Sequence, residues 1–320
     1  MGCKFCASTI GGRVRNLTVG ELLGQVIAAA RDLGERMDGI VMMGIGEPLD
    51  NFDNVVRFLH LVNHEKGQNI GYRHISLSTC GLVDRIDELA GLSLPITLSI
   101  SLHAADDETR SAIMPINRRY NVDALLRACK RYYDKTKRRI SFEYTLIAGK
   151  NDAPEAARKL AGVLNRYLRT RTDTMPIHVN LIPVNEVEET GFTRSDKKAV
   201  KKFADVLTEC GIRATVRRKL GADIISSCGQ LRRASLDIKY VNWDKIRAKP
   251  KSEGLPFESK KNRKKQNKTK RKERTSPIGG SEYRGSFGAF YRECHGVVGT
   301  GAVWQYPCVF VLERMADGIR

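Results

Sequence analysis

Residues 39–48 read Gly39-Ile40-Val41-Met42-Met43-Gly44-Ile45-Gly46-Glu47-Pro48, an apolar run followed at once by glycine, an acid and proline. Apolar residues without polar alternation suit a strand buried on both faces, as in parallel sheets. Similar segments recur, and strands are expected at 74–78, 95–102, 140–147, 177–183 and 212–216. Helical stretches lie between them. Thr18 and Glu21 form a capping box; Leu22, Leu23, Val26, Ile27, Ala30 and Leu33 then follow a helical stripe, and Gly34 ends it. Further helices are expected near 52–64 (with Val55, Val56, Leu59 and Leu61), 83–92, 153–167 (with Leu160 and Leu164 inward), after the cap Asn121, and from about Asp196 to Cys210-Gly211. Strands alternating with helices imply parallel pairing through crossover connections. The number of units favours a barrel, complete or partial, over a short open sheet. Barrel chemistry sits at the carboxyl ends of the strands. There the polar and glycine-rich clusters fall: Gly44 to Pro48, Ser78-Thr79-Cys80-Gly81, His103, Asn185 and the stretch running to Cys228.

The 320 residues are 41% hydrophobic, enough for a real core and too apolar for disorder throughout. No segment approaches the roughly 18 unbroken apolar residues of a membrane span, and no charged-then-apolar leader opens the sequence. A cytoplasmic protein without membrane contact is expected. The net charge of +19 points to a polyanionic partner, most simply nucleic acid. That charge divides into +9 on residues 1–239 and +10 on 240–320. Within 260–274, ten basic residues face one acid, Glu273, a run that repels itself and does not fold alone. Two domains follow: a folded core over 1–236, and a basic, low-complexity, disordered tail over 237–320.

Eight cysteines in so long a chain do not read as a disulfide scaffold. Cys129 and Cys210 lie on helix faces and read as core, and Cys80 as packing near the site. Cys3-Lys4-Phe5-Cys6 is a C-x-x-C pair open to three readings. It could be half a zinc site, although no second pair completes a four-cysteine set. It could be a redox dithiol, which wants a preceding strand. It could also be two thirds of an iron–sulfur site, in which three thiolates leave one iron of a [4Fe–4S] cluster open.

Gly2-Cys3-Lys4-Phe5-Cys6-Ala7-Ser8-Thr9 resembles the latter half of the radical S-adenosylmethionine motif C-x₃-C-x₂-C. The resemblance continues in order through Met43 to Pro48, Leu77 to Thr79, Ser101 to Ala104, Asn180 to Asn185 and Cys228 to Leu231, as far as about Ser235. Together these are similar to the RlmN/Cfr family of radical S-adenosylmethionine RNA methyltransferases. The resemblance implies a partial TIM-like (β/α)6 α/β barrel. It implies a [4Fe–4S] cluster on Cys3 and Cys6, with S-adenosylmethionine held by Gly46, Glu47, Ser78, Ser101, Leu102, His103 and Asn185. It implies Cys228 as the carrier of an S-methyl group that is converted to a methylene radical and adds to adenine C2. The implied partners are 23S rRNA, tRNA and an electron donor such as a flavodoxin system, acting on a monomer. Such an enzyme must take the target base out of its stack and hold phosphates with basic side chains.

In the family pattern a first cluster cysteine would fall two residues before Met1, together with a first strand, a resolving cysteine, a glutamate base and a helical RNA-holding domain. The chain is therefore expected to lack its first barrel strand, to carry an unpaired edge and to be inactive by itself. Two other readings compete: adenine-C8 methylation of the Cfr type, and a zinc-dependent RNA-binding module without catalysis. Pro115-Ile116-Asn117 and Ser8-Thr9-Ile10-Gly11-Gly12 favour C2 over C8.

Overall fold

A computed structural model describes residues 1–10, 12–169 and 175–217. The proposed tail at 237–320 and Cys228 lie outside the described residues. Those residues fall in one compact unit. Seven helices and six strands alternate in it: α1 Val19–Leu33, β1 Ile40–Met42, α2 Phe52–Asn63, β2 Ile75–Thr79, α3 Val83–Gly91, β3 Thr97–Ser101, α4 Asp107–Ile113, α5 Val122–Thr136, β4 Ile140–Leu146, α6 Pro154–Leu168, β5 Ile177–Pro183, α7 Lys197–Glu209 and β6 Arg213–Val216. The strands form one parallel sheet in the order β1-β2-β3-β4-β5-β6. This is the expected partial (β/α)6 barrel. Among the described residues β1 and β6 each keep one unpaired edge. Arg217, just past β6, reaches back so that its Nη1 donates to Met43 Sδ at 3.1 Å, just past β1.

The local signals act as their chemistry dictates. The Thr18 side chain accepts from the Glu21 amide, and the Glu21 carboxylate accepts from the Thr18 amide. Gly34 stops α1 in the left-handed conformation at φ 64°. Asn121 caps α5 and Asp196 caps α7. Thr18→Ala should lower stability by about 1 kcal/mol, read as a shifted urea midpoint with unchanged slope.

The apolar stripes prove narrower than the sequence implied. On α1 only Leu22 and Val26 are buried, while Ile27 and Leu33 are 45% and 65% exposed; on α2 Leu61 faces outward, and Phe58 and Val62 fill the core instead. The α4 helix falls outside the helices expected from the sequence. It is seven residues long, is capped by Asp106 and carries no stripe. Cys129 is core, as expected, but Cys210 is half-buried at the end of α7 rather than inside the core. Strand β4, a central strand of the parallel sheet, is buried along its whole length.

Candidate functional site at the carboxyl ends of the strands

Beyond β1 the chain turns at Gly46, whose φ of 94° excludes ordinary side chains. Glu47 then caps the single helical turn Pro48–Asn51: its Oε1 accepts from the Leu49 amide at 3.0 Å. Its Oε2 accepts from the Cys80 amide at 2.7 Å, so one carboxyl group ties the end of β1 to the end of β2. Burial raises the Glu47 pKa, and these two amides pull it back.

At the end of β2, Ser78 and Thr79 are buried. Gly81 follows at φ 102°, and a Cβ there would lie 2.8 Å from Leu125 Cδ1. Gly81→Ala should therefore destabilise by about 2 kcal/mol through backbone strain and crowding, visible as a lower melting temperature.

At the end of β3, Ser101 is half-buried and Leu102 is part of the core. Both backbone groups of Leu102 are paired inside the protein, its amide to Glu143 O and its carbonyl to Ala104 N and Arg110 Nε. His103 is buried and left-handed at φ 58°, a sparsely populated state for a side chain other than glycine. The surroundings fix it. Its Nδ1 accepts from the Thr145 amide at 2.9 Å, and its carbonyl accepts from Asn151 Nδ2 at 2.8 Å. The Phe5 ring meets the imidazole edge-on with centroids 4.9 Å apart. Burial, reinforced by the nearby Arg110 charge, pushes the His103 pKa down to about 3. The imidazole is thus neutral at pH 7, with its proton on Nε2. Asn185, past β5, is half-buried.

The Cys3–Cys6 loop sits against this same end. Lys4 N–H donates to Ile113 O at 2.9 Å, and Thr9 Oγ1 lies 3.0 Å from Cys3 O and 2.8 Å from Cys6 O. Cys3 and Phe5 pack on a small apolar cluster of Cys80, Ile113, Met114, Ile147 and Val184. Burial and the neighbouring Cys6 push the Cys3 thiol up to about 11. Cys80 is buried in this cluster, in keeping with its reading as packing.

One residue central to this framework was missed by sequence reasoning. Arg110 is completely buried. Its Nε donates to Leu102 O at 3.0 Å, its Nη1 to Asn117 Oδ1 at 2.9 Å and Tyr120 O at 3.3 Å, and its Nη2 to Cys80 O at 2.7 Å and Ser101 O at 3.2 Å. One guanidinium thus fastens the ends of β2 and β3 to the Pro115–Arg118 turn. All five acceptors are neutral.

The chain is similar to known proteins both in sequence and in structure. A family model described as "Radical SAM superfamily" matches residues 1–161. The chain is 54% identical over 233 residues to "Probable dual-specificity RNA methyltransferase RlmN" of Clostridium acetobutylicum, covering 73% of this chain and 65% of that protein. It is 53% identical over 239 residues to the Clostridium perfringens strain 13 protein of the same name, covering 75% and 67%. A radical SAM methyltransferase structure from Sphaerobacter thermophilus superposes with a TM-score of 0.67 at 44% identity, over 72% of this chain and 66% of that one. The chain belongs to the radical SAM superfamily and, within it, to the RlmN family of RNA methyltransferases. It spans about two thirds of the length of those relatives, slightly less for the first.

Membership implies a [4Fe–4S] cluster and S-adenosylmethionine as cofactors. Among the described residues, Cys3 and Cys6 offer two thiols at the right end of the barrel, but no group of three or more His, Cys, Asp or Glu side chains could hold a metal ion. The described donor set is therefore short of a four-iron cluster, which thiolates hold. The polar strand ends suit a polar ligand better. Gly46 leaves the backbone open, and His103 keeps Nε2–H as a donor beyond its bond to Thr145. No helix among the described residues is long and apolar enough to cross a membrane.

Proposed function

We propose that this chain carries the barrel of an RNA methyltransferase that places a methyl group on C2 of an adenine in 23S rRNA and tRNA. In this reading Cys3 and Cys6 are cluster ligands. Gly46, Glu47, Ser78, Ser101, Leu102, His103 and Asn185 contact S-adenosylmethionine, Leu102 by packing because its backbone groups are already paired. Cys228 carries the methyl group as S-methylcysteine. The cofactors supply the methyl group and the radical; the protein orients and shields them. The enzyme is a cytoplasmic monomer that draws electrons from a flavodoxin-like donor. The observation that carries the reading is the 52–54% identity to RlmN relatives in a chain whose described candidate contacts lie at or just past one end of one barrel.

Two measurements test it. S-adenosylhomocysteine should bind this chain, and His103→Ala should weaken that binding on the order of tenfold, the worth of one buried hydrogen bond. Unchanged affinity removes His103 from the site. Residues 1–236 should then replace the matching stretch of the Clostridium acetobutylicum relative. The hybrid, given 23S rRNA or tRNA, should yield 2-methyladenosine by nucleoside mass spectrometry, and Cys228→Ala should abolish it. An 8-methyl product, or a methylated product from Cys228→Ala, overturns the reading.

A further inference from the structure

Along one face of the sheet lies a polar system that the proposed methyl transfer does not use. Glu143 stands on β4 level with Ser101 of β3 and Asn180 of β5, and its side chain is almost wholly buried. Its Oε2 accepts from Asn180 Nδ2 at 2.7 Å, and its Oε1 from Ser141 Oγ at 3.1 Å. The Ser141 hydroxyl also lies 3.0 Å from His178 Nδ1. The other imidazole nitrogen, Nε2, lies 3.0 Å from Thr215 Oγ1, and Thr215 is exposed on β6.

We propose that Glu143, Ser141, His178 and Thr215 form a proton relay along one face of the sheet, from β4 across β5 to β6, connecting the carboxyl group on β4 to solvent at β6.

The hydrogen bonds have the property a relay requires: they can all point either way. With Glu143 ionised, Ser141 donates to the carboxylate, His178 Nδ1–H donates to Ser141, and Thr215 donates to Nε2. With Glu143 protonated, its O–H donates to Ser141, Ser141 to Nδ1, and Nε2–H to Thr215. Every donor finds an acceptor in both states, so passing one proton reverses the row and leaves no group unpaired. In the outward transfer the Glu143 O–H bond breaks, each link gives up one proton as it takes one, and Thr215 passes a proton to water. No electrons move. Asn180, which donates to Glu143 and lies 3.5 Å from Thr215 Oγ1 through its Oδ1, cannot take part, because an amide does not exchange donor for acceptor. The carboxyl group is too buried to meet water directly, and a ligand over the strand ends would close that side further.

The electrostatics suit this use. Burial raises the Glu143 pKa, with Asn180, Ser141, Ser99 and the Arg217 charge opposing. Burial and the charges of Arg139 and Arg213 lower His178 to about 4, so the imidazole is neutral and can carry a proton on either nitrogen at pH 7.

The relay stands independently of the methylation chemistry, and so does its test. Infrared difference spectra of the full chain against Glu143→Gln should isolate the Glu143 carboxylic acid band. Rapid mixing into D2O should shift that band within the dead time. His178→Phe should slow the shift on the order of a hundredfold, and imidazole added to His178→Gly should restore it. Ser141→Ala provides a milder break in the same row, and circular dichroism establishes that each variant is folded. Unchanged exchange in folded His178→Phe and Ser141→Ala would overturn the relay. So would the absence of any Glu143 acid band between pH 5 and pH 8, since the group would then have no proton to pass.

Discussion

Replacing Arg110 with leucine is expected to destabilise the fold by about 4 kcal/mol, measured as the change in unfolding free energy from a urea titration. The side chain makes five hydrogen bonds, to the carbonyls of Cys80, Ser101, Leu102 and Tyr120 and to the Asn117 amide. Only some of these acceptors have a second donor; the Leu102 carbonyl, for instance, also takes Ala104 N–H. Cys80 O and Asn117 Oδ1 lose a buried partner, at roughly 1–3 kcal/mol each, and the part-buried Ser101 and Tyr120 carbonyls lose less. An opposing effect sets the size of the loss. A buried cation paired with neutral dipoles carries a desolvation penalty, and leucine removes it. Arg110 has a lowered pKa because burial disfavours its charge. If that penalty dominated, leucine would be neutral or stabilising, and the assignment of Arg110 as the fastener of the strand ends would fail. Arg110→Lys separates charge from geometry: it keeps the cation but not the planar fork, and most of the loss should persist.

The second large effect is acid sensitivity centred on His103. Its folded pKa of about 3 lies below its ordinary value of 6.5. The unfolded chain therefore binds a proton there that the folded chain does not, and stability falls as pH drops below about 6.5, levelling off near pH 3. At about 1.4 kcal/mol per unit the full shift corresponds to no more than about 4–5 kcal/mol. Glu47 and Glu143 act in the opposite sense. Their folded pKa values are raised, so their contribution is complete below about 4.5 and is lost as pH rises through the folded value. Chemical denaturation of wild type and His103→Gln across pH 3–8 isolates the histidine. The variant should have the flatter acid limb, and parallel curves would show that His103 does not titrate on unfolding. Glu143→Gln should in turn gain stability over wild type above neutral pH.

Much of this fold was legible in the sequence because its signals are local. Caps at Thr18, Asn121 and Asp196 begin helices by bonding the amide three residues on. The 177–183 run needs only its own apolar residues to read as a strand. Where burial depends on distant partners the reading slipped: Ile27, Leu33 and Leu61 fit a helical period but face solvent, and α4 is too short to show a period. The strand-end rule located Gly46, Glu47, Ser78 and His103 without a structure. It could not reveal Arg110, whose partners are mostly backbone carbonyls, because such groups leave no trace in the amino-acid code. Nor could it reveal the Ser141–His178 contact, which joins neighbouring strands 37 residues apart.

The strict β1-to-β6 order bears on how the molecule assembles. Among the described residues each strand pairs only with its predecessor and its successor in the chain. No strand must wait for a distant partner, so loop-closure entropy is met in small, similar instalments. A chain emerging from the ribosome could add one strand-and-helix unit at a time to a growing template, sheltering each fresh edge with the next arrival. Arg217, reaching across to Met43, makes contact only after the sixth strand is in place. It would act as a late clasp, marking completion of the described barrel rather than guiding its construction.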